Sequence, residues 1–160
     1  MIWAIYRIHY GTDYLLESIN SVINNVDKIF IFYSDFPWVK NDVIKYKDKF
    51  LEFPKNPENV KQFLNNNISD KKITIQNYEC NTPKNQFGNM YEIALKMYKA
   101  KPKYILFMEP DMIFGKNQLN LLKFELITKF WTNNIISRQI EIWKFNKESK
   151  SNNTYRIPLR

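Results

Sequence analysis

Short apolar runs alternate along the chain with segments of helical periodicity, and this alternation limits the fold more than any other feature. Most of the runs are apolar on both faces, which is typical of strands buried between two layers of helices. The runs cover residues 2–8, 27–33, 72–78 and 104–108, and helices are predicted over 12–24, 57–66 and 85–99. Such alternation predicts an α/β fold: a three-layer sandwich with a mainly parallel, Rossmann-like sheet.

Two of these helices have predicted starts. Thr12 or Asp13 would cap the first helix, and Pro57 would stand in the opening turn of the second. The pattern is unclear over 38–57, apart from a short strand at 49–53.

The pattern changes after residue 111. A helix is predicted over 117–131, followed by strands at 135–145 and 154–158 that flank a polar loop at 146–153. These last strands predict a C-terminal antiparallel hairpin. Because 160 residues with 44% hydrophobic content suit one compact core, we predict a single domain over 1–160.

Charge and cysteine content narrow the functional classes. The net charge is +8, and only four of the 24 basic residues are Arg, so most of the excess is solvated lysine. Such a balance favours anionic partners. Cys80 is the only cysteine, which excludes an intrachain disulfide and favours a reducing compartment. With no secretory signal and no apolar run of membrane-spanning length, we expect a soluble, cytoplasmic protein.

The fourth apolar run leads directly into two acids, Glu109 and Asp111, which are separated by Pro110. The carboxyl end of a parallel strand is where α/β sheets bind ligands. Pro110 fixes its own φ and keeps Glu109 out of the helical region, and so holds the two carboxylates on a stiff turn. Hard carboxylate oxygens suit Mg²⁺ or Mn²⁺, and we predict a metal site. As an alternative, both acids only cap a turn after a core strand.

The order of short sequence motifs along the chain resembles that of a known protein family. The first run ends in the sequence RIHYG, the second in SD, a helix opens with QFGN, and the fourth run ends in EPD. Over residues 1–115 this resembles the nucleotide-binding half of GT-A fold glycosyltransferases, the nucleotide-diphospho-sugar transferase type, near family 2. That family has an Asp-X-Asp motif whose second acid binds Mn²⁺ or Mg²⁺. The resemblance implies that Asp111 is the metal ligand and Glu109 the ribose-side or second metal partner, although Glu departs from the first Asp.

The resemblance also implies a donor site. The base and ribose would lie at the ends of the first two strands, and a small residue and an Asn would approach the donor from the helix start. The implied donor-binding residues are Ile8, His9, Tyr10, Asp35, Gly88, Asn89 and Glu109. The alternatives are structural: a turn at Asp35, a helix cap at Asn89, and a hydrogen-bonded histidine at His9.

The acceptor side, residues 116–160, is short and poor in acids. Inverting members of the family place a catalytic Asp well beyond the metal motif, and here Glu141 is the candidate, although as an alternative it points outward from its strand. The acceptor would be a hydroxyl of a glycan, lipid or protein. A second copy of the chain or another partner would complete this side.

The sequence therefore predicts a metal-dependent glycosyltransferase of the hexosyltransferase type, with no nucleic-acid partner. Two alternatives stay open. One is a catalytically incomplete domain that binds a nucleotide-sugar. The other is a metal-dependent nuclease, because Pro110 and Asp111 with Glu141 and Lys144 approach a Pro-Asp…Glu-X-Lys pattern with one residue too many.

Overall fold

The computed structural model describes residues 1–9, 11–34, 43–52, 59–79, 86–115, 117–128, 134–143 and 147–158. Side chains are described up to residue 124, except for 43–46 and 52. The chain divides into two compact units, Met1–Leu119 and Asn120–Arg160. Across the described ranges, no helix has both the length and the apolar character needed to cross a membrane.

The strands in chain order are β1 (Ile2–Ile8), β2 (Lys28–Tyr33), β3 (Val43–Tyr46), β4 (Lys49–Glu52), β5 (Ile73–Asn77), β6 (Tyr104–Met108), β7 (Asn134–Trp143) and β8 (Lys147–Pro158). The helices are α1 (Leu15–Val22), α2 (Val60–Asn67), α3 (Gln86–Tyr98) and α4 (Gln118–Thr128).

The first unit is built on a four-stranded sheet in the order β5-β2-β1-β6. Every neighbouring pair is parallel, so the predicted α/β class and mainly parallel sheet are confirmed, and the sheet is compatible with a Rossmann-like fold. The chain runs outward from β1 through β2 to β5 and then returns to β6 on the other side of β1. The strand order therefore reverses between β1 and β6, where sheets of this kind open a ligand crevice.

Helices pack on both faces of this sheet because its central strands, β1 and β2, are apolar on both faces. On one face, Trp3 and Phe32 belong to a buried cluster with Met90 and Ala94 of α3. The Trp3 and Phe30 rings lie 4.9 Å apart between centroids. On the other face, the Tyr6 hydroxyl meets Ser18 of α1. The sheet is thus the middle layer between α1 and α3.

Two helix starts differ from the predictions. Thr12–Tyr14 form a 3-10 turn with Gly11 in the N-cap position and no side-chain cap bond, so the predicted cap at Thr12 or Asp13 is wrong. α2 begins at Val60, where the Asn59 side chain accepts a hydrogen bond from the Gln62 amide at 3.0 Å. An Asn cap satisfies an otherwise unpaired amide, and the predicted start at 57 or 58 was too early. Pro57 itself lies outside the described residues.

A small antiparallel hairpin, β3 and β4, follows the gap after β2. The sequence predicted a strand near β4 but not its partner. Lys47 at the turn has a φ of +53°, whereas two-residue hairpin turns are usually marked by Asn or Gly. The turn therefore left no signal in the sequence.

In the second unit, β7 and β8 pair antiparallel with an irregularity between Arg138 and Ile140. The polar loop predicted over 146–153 is wrong, because 147–153 are part of β8. Polar residues such as Ser and Asn have low strand propensity by themselves. Here residues 147–150 pair with β7 through the backbone, which the composition of the segment did not reveal.

Candidate functional site

The four parallel strands end at one edge of the sheet, called here the carboxyl edge. The residues that follow the strands there are His9 after β1, Ser34 after β2, Tyr78 after β5 and Glu109 after β6. Because β1 and β6 are hydrogen-bonded neighbours, the two acids after β6 lie at the point where the strand order reverses. This is the position at which an α/β sheet is expected to bind a ligand.

The acids stand on a β-turn. The Met112 amide donates to the Glu109 carbonyl at 3.1 Å, and Pro110 occupies the second position, where its fixed φ suits such a turn. Glu109 and Asp111 are both exposed. The stiff turn expected from Pro110 is therefore present, with both carboxylates accessible to solvent.

Helix α1 holds the segment that follows this turn. The Ser18 hydroxyl donates to the Met112 carbonyl, and the Ser21 hydroxyl accepts from the Phe114 amide at 3.1 Å. Serines three residues apart lie on the same face of a helix, so one face of α1 carries both contacts. We call this pair of contacts, from Ser18 to Met112 and from Phe114 to Ser21, the anchor. The sequence did not predict it, although two serines at helical spacing on an amphipathic helix were its signal.

Tyr6 completes the anchor from the centre of the sheet. Its hydroxyl lies 3.0 Å from that of Ser18. Because the single Ser18 proton is directed to the Met112 carbonyl, Tyr6 is the donor in this bond. Burial raises the pKa of the Tyr6 phenol above its ordinary value, against a smaller lowering by the Ser18 bond. The phenol therefore stays protonated and able to donate.

The loop after β1 approaches the acid turn. Gly11 has a φ of +87°, and a Cβ built on it would lie 3.6 Å from Pro110 Cγ. The ends of β1 and β6 are thus adjacent beyond the last sheet hydrogen bonds. Tyr10, predicted to contact the donor, lies outside the described residues.

His9 joins the end of β1 to the end of β2. It is only 9% exposed, and its Nδ1 lies 3.0 Å from the Ser34 carbonyl. Since a carbonyl can only accept, Nδ1 carries the proton. Ile8 is fully buried, and its carbonyl accepts from the Ser34 amide at 3.0 Å. These contacts fit the structural alternative for His9, and Asp35 lies outside the described residues.

Gly88 and Asn89 lie in the first turns of α3 and are exposed. Asn89 is therefore inside the helix, not at its cap. Gln86, the first residue of α3, is buried and accepts from Arg7 Nη1 at 2.5 Å. This bond joins the start of α3 to the carboxyl end of β1. The sequence did not predict it.

Glu141, the predicted catalytic residue, lies in β7 of the second unit, opposite Ser149. Its side chain lies outside the described residues. The other sequence-predicted residues that the structure describes all belong to the first unit.

The donor atoms of the acid turn fit a hard divalent cation. Within the ranges that the structure describes, no group of three or more His, Cys, Asp or Glu side chains could hold a metal ion. The two exposed carboxylates of Glu109 and Asp111 could hold such an ion only in a more open site. Mg²⁺ tolerates such a site because phosphate oxygens and waters fill its remaining positions.

Neither a scan against protein-family models nor a search of curated proteins finds a match for this chain. Any functional assignment therefore depends on the residues of the carboxyl edge. Among these, the fixed acid turn has the chemistry that is most specific to one kind of ligand.

Proposed function

We propose that this protein is a metal-dependent glycosyltransferase of the GT-A type, which moves a sugar from a nucleoside diphosphate to a hydroxyl acceptor. The observation that carries the proposal is the position of the Glu109–Asp111 turn, at the reversal of strand order and against the Gly11 loop. A nucleotide that bound here would reach the ends of β1 and β6 together.

The acid turn would hold the metal. Asp111 and Glu109 would bind Mn²⁺ or Mg²⁺, and when bound the ion supplies Lewis acidity that neutralises charge on the departing diphosphate. The turn hydrogen bond and the Ser18 and Ser21 contacts keep the backbone of this segment fixed. The carboxylates would then need little reorganisation on binding, which favours affinity.

The remaining roles follow the resemblance. The base and ribose would lie against the backbone around Ile8, His9 and Tyr10 and the side chain of Asp35, and Gly88 and Asn89 would lie close to the donor. In the transfer step, the acceptor oxygen bonds to the anomeric carbon while the bond from that carbon to the diphosphate oxygen breaks. Glu141 is the proposed base for the hydroxyl proton.

One observation favours a second candidate, a domain that binds a nucleotide-sugar without transferring it. All described donor residues belong to the compact unit Met1–Leu119, and only Glu141 lies beyond it. Donor binding and transfer are therefore separable. In an assay with a panel of hydroxyl acceptors, release of free nucleoside diphosphate would distinguish an enzyme from a binding domain.

Thermal unfolding in Mn²⁺ with UDP-, GDP- and CDP-sugars tests donor binding. A ligand present at a hundred times its Kd stabilises the folded state by about 2.7 kcal/mol, so one of these donors should raise Tm clearly. Asp111→Asn should remove the metal-dependent part of this rise. If no donor raises Tm while duplex DNA does, the transferase proposal is overturned in favour of the nuclease.

A further inference from the structure

The opposite edge of the parallel sheet, where its strands begin, is densely basic. This amino edge is defined here by lysines before or at the starts of β2, β5 and β6 and after α3. They are Lys28, Lys71, Lys72, Lys99, Lys101 and Lys103. The acids in the same segments are Asp27 and Asp70. Six lysines against two aspartates leave an excess of four positive charges.

Direct contacts join these segments into one surface. Lys28 Nζ donates to the Lys71 carbonyl at 3.2 Å and lies 4.9 Å from the centroid of the Tyr98 ring. Lys99 follows Tyr98 directly. On the other side of β1, the Lys103 amide donates to the Met1 carbonyl at 2.8 Å. The lysines of several elements therefore share a single edge.

The two aspartates are engaged with the backbone. Asp27 Oδ2 accepts from the Ile2 amide at 2.6 Å, and Asp70 Oδ1 accepts from the Lys72 amide at 2.7 Å. Lys71, Lys101 and Lys103 are exposed. Among the residues described here, no ion pair joins these three lysines to a carboxylate.

Two apolar side chains directly precede Lys99 in the chain. Met97 and Tyr98 end α3 and are 42% and 41% exposed. An anionic bilayer attracts clustered lysines and also accepts apolar and aromatic groups at its headgroup boundary. Recognition of individual phosphates more often uses the guanidinium fork of Arg, and the amino edge contains no Arg.

We propose that the amino edge, with Met97 and Tyr98, binds an anionic lipid surface. The carboxyl edge would then face away from the membrane. Since a strand rises about 3.3 Å per residue, the length of β1 would separate the two edges by roughly 20 Å. The inference is independent of the proposed function, because lipid binding at this edge involves none of the donor residues.

Co-sedimentation with vesicles tests the proposal. The full chain should bind vesicles that contain phosphatidylserine but not vesicles of phosphatidylcholine alone, and the binding should weaken as salt is added. Replacing Lys71, Lys101 and Lys103 together by Gln should weaken binding at least tenfold, since each lysine near such a surface contributes about a fivefold factor. Absence of binding to the anionic vesicles at low salt would overturn the proposal.

A matched variant controls for total charge. Lys47→Gln, Lys49→Gln and Lys61→Gln remove the same charge from the β3–β4 hairpin and the first turn of α2, which follow the carboxyl end of β2. This variant should keep most of the binding. An equal loss of vesicle binding in both triple variants would mean that only net charge matters. It would overturn the assignment of lipid binding to the amino edge.

A single substitution distinguishes binding to lipid from binding to other polyanions. It also tests the proposal if the triple variant does not fold. Met97→Ser keeps the charge and should weaken vesicle binding at least twofold while leaving any weak DNA binding unchanged. Unchanged vesicle binding by Met97→Ser, or tighter binding of the wild type to duplex DNA than to vesicles, would overturn the lipid assignment.

Discussion

Gly11 lies beside Pro110, because a Cβ at Gly11 would lie 3.6 Å from Pro110 Cγ. The two residues come from the ends of β1 and β6, which are neighbours in the sheet. Gly11 reaches this place with a φ of +87°, a conformation that other residues adopt at a cost. The close approach of the two strand ends therefore depends on the backbone of Gly11.

Gly11→Ala should lower the free energy of unfolding by about 1–2 kcal/mol, from the left-handed backbone alone. A separation of 3.6 Å is ordinary van der Waals contact, so a clash with Pro110 adds nothing. Gly11→Asn is the matched control and should cost less, because Asn tolerates this region better. Urea unfolding measures both variants, and an Ala variant as stable as wild type would show that the loop relaxes.

The two acids should differ in their effect on metal binding. Glu109 and Asp111 are exposed, so Glu109→Gln and Asp111→Asn should each change unfolding free energy by less than about 0.5 kcal/mol. Titration with Mn²⁺ in the presence of donor should show metal-dependent stabilisation lost in Asp111→Asn and reduced in Glu109→Gln.

Glu92→Gln, an exposed acid in the middle of α3, is the control for this pair and should behave as wild type. Full metal-dependent stabilisation in Asp111→Asn would contradict the assignment of the ligand.

Ser18 should be more important for stability than its size suggests. It is fully buried, and it takes a hydrogen bond from Tyr6 while donating to the Met112 carbonyl. Ser18→Ala removes the hydrogen-bond partner of the Tyr6 hydroxyl and of the Met112 carbonyl. An unsatisfied buried polar group lowers the free energy of unfolding by about 1–3 kcal/mol.

Tyr6→Phe and the double variant complete a thermodynamic cycle with Ser18→Ala. Because the two hydroxyls share one bond, the double variant should lose less stability than the sum of the single variants. Chemical denaturation of the four proteins gives this coupling directly. Additive losses would mean that the hydroxyls of Tyr6 and Ser18 act independently.

The sheet was predictable from the sequence because its central strands, β1 and β2, are buried on both faces. β1 and β6 begin and end at the predicted residues. β6 is a continuous apolar run between Lys103 and Glu109, and β1 is apolar except for Arg7. The β3–β4 pair was not fully predicted. Its turn lacks the usual residues, and the side chains described in β4 include Phe50 and Leu51, which are 70% and 47% exposed.

The candidate site was predictable only where its geometry is local. The acid turn follows from Pro110 and its two neighbours, which are adjacent in the chain. The bonds from Ser18 to Met112 and from Arg7 to Gln86 span 94 and 79 residues. Contacts of this kind depend on which helix face meets which strand end, and the periodicity of one segment does not specify its partner.

Tyr6 should make the stability of the protein depend on alkaline pH. Its burial raises the pKa of the folded phenol above the ordinary value of about 10. For a raised pKa, the stabilisation is complete below the unfolded pKa and is lost as pH rises toward the folded pKa. Unfolding free energy should therefore fall above pH 10, with this residue contributing up to about 1.4 kcal/mol per pH unit.

Tyr6→Phe isolates the contribution of this phenol. Denaturation at pH 9, 10 and 11 should show a shallower fall in Tyr6→Phe than in wild type, because Phe has no proton to lose. Tyr14→Phe, at a tyrosine that is 42% exposed, is the matched control for the loss of a phenol hydroxyl. An equally steep fall in Tyr6→Phe would mean that the buried phenol does not hold its proton more tightly when the chain is folded.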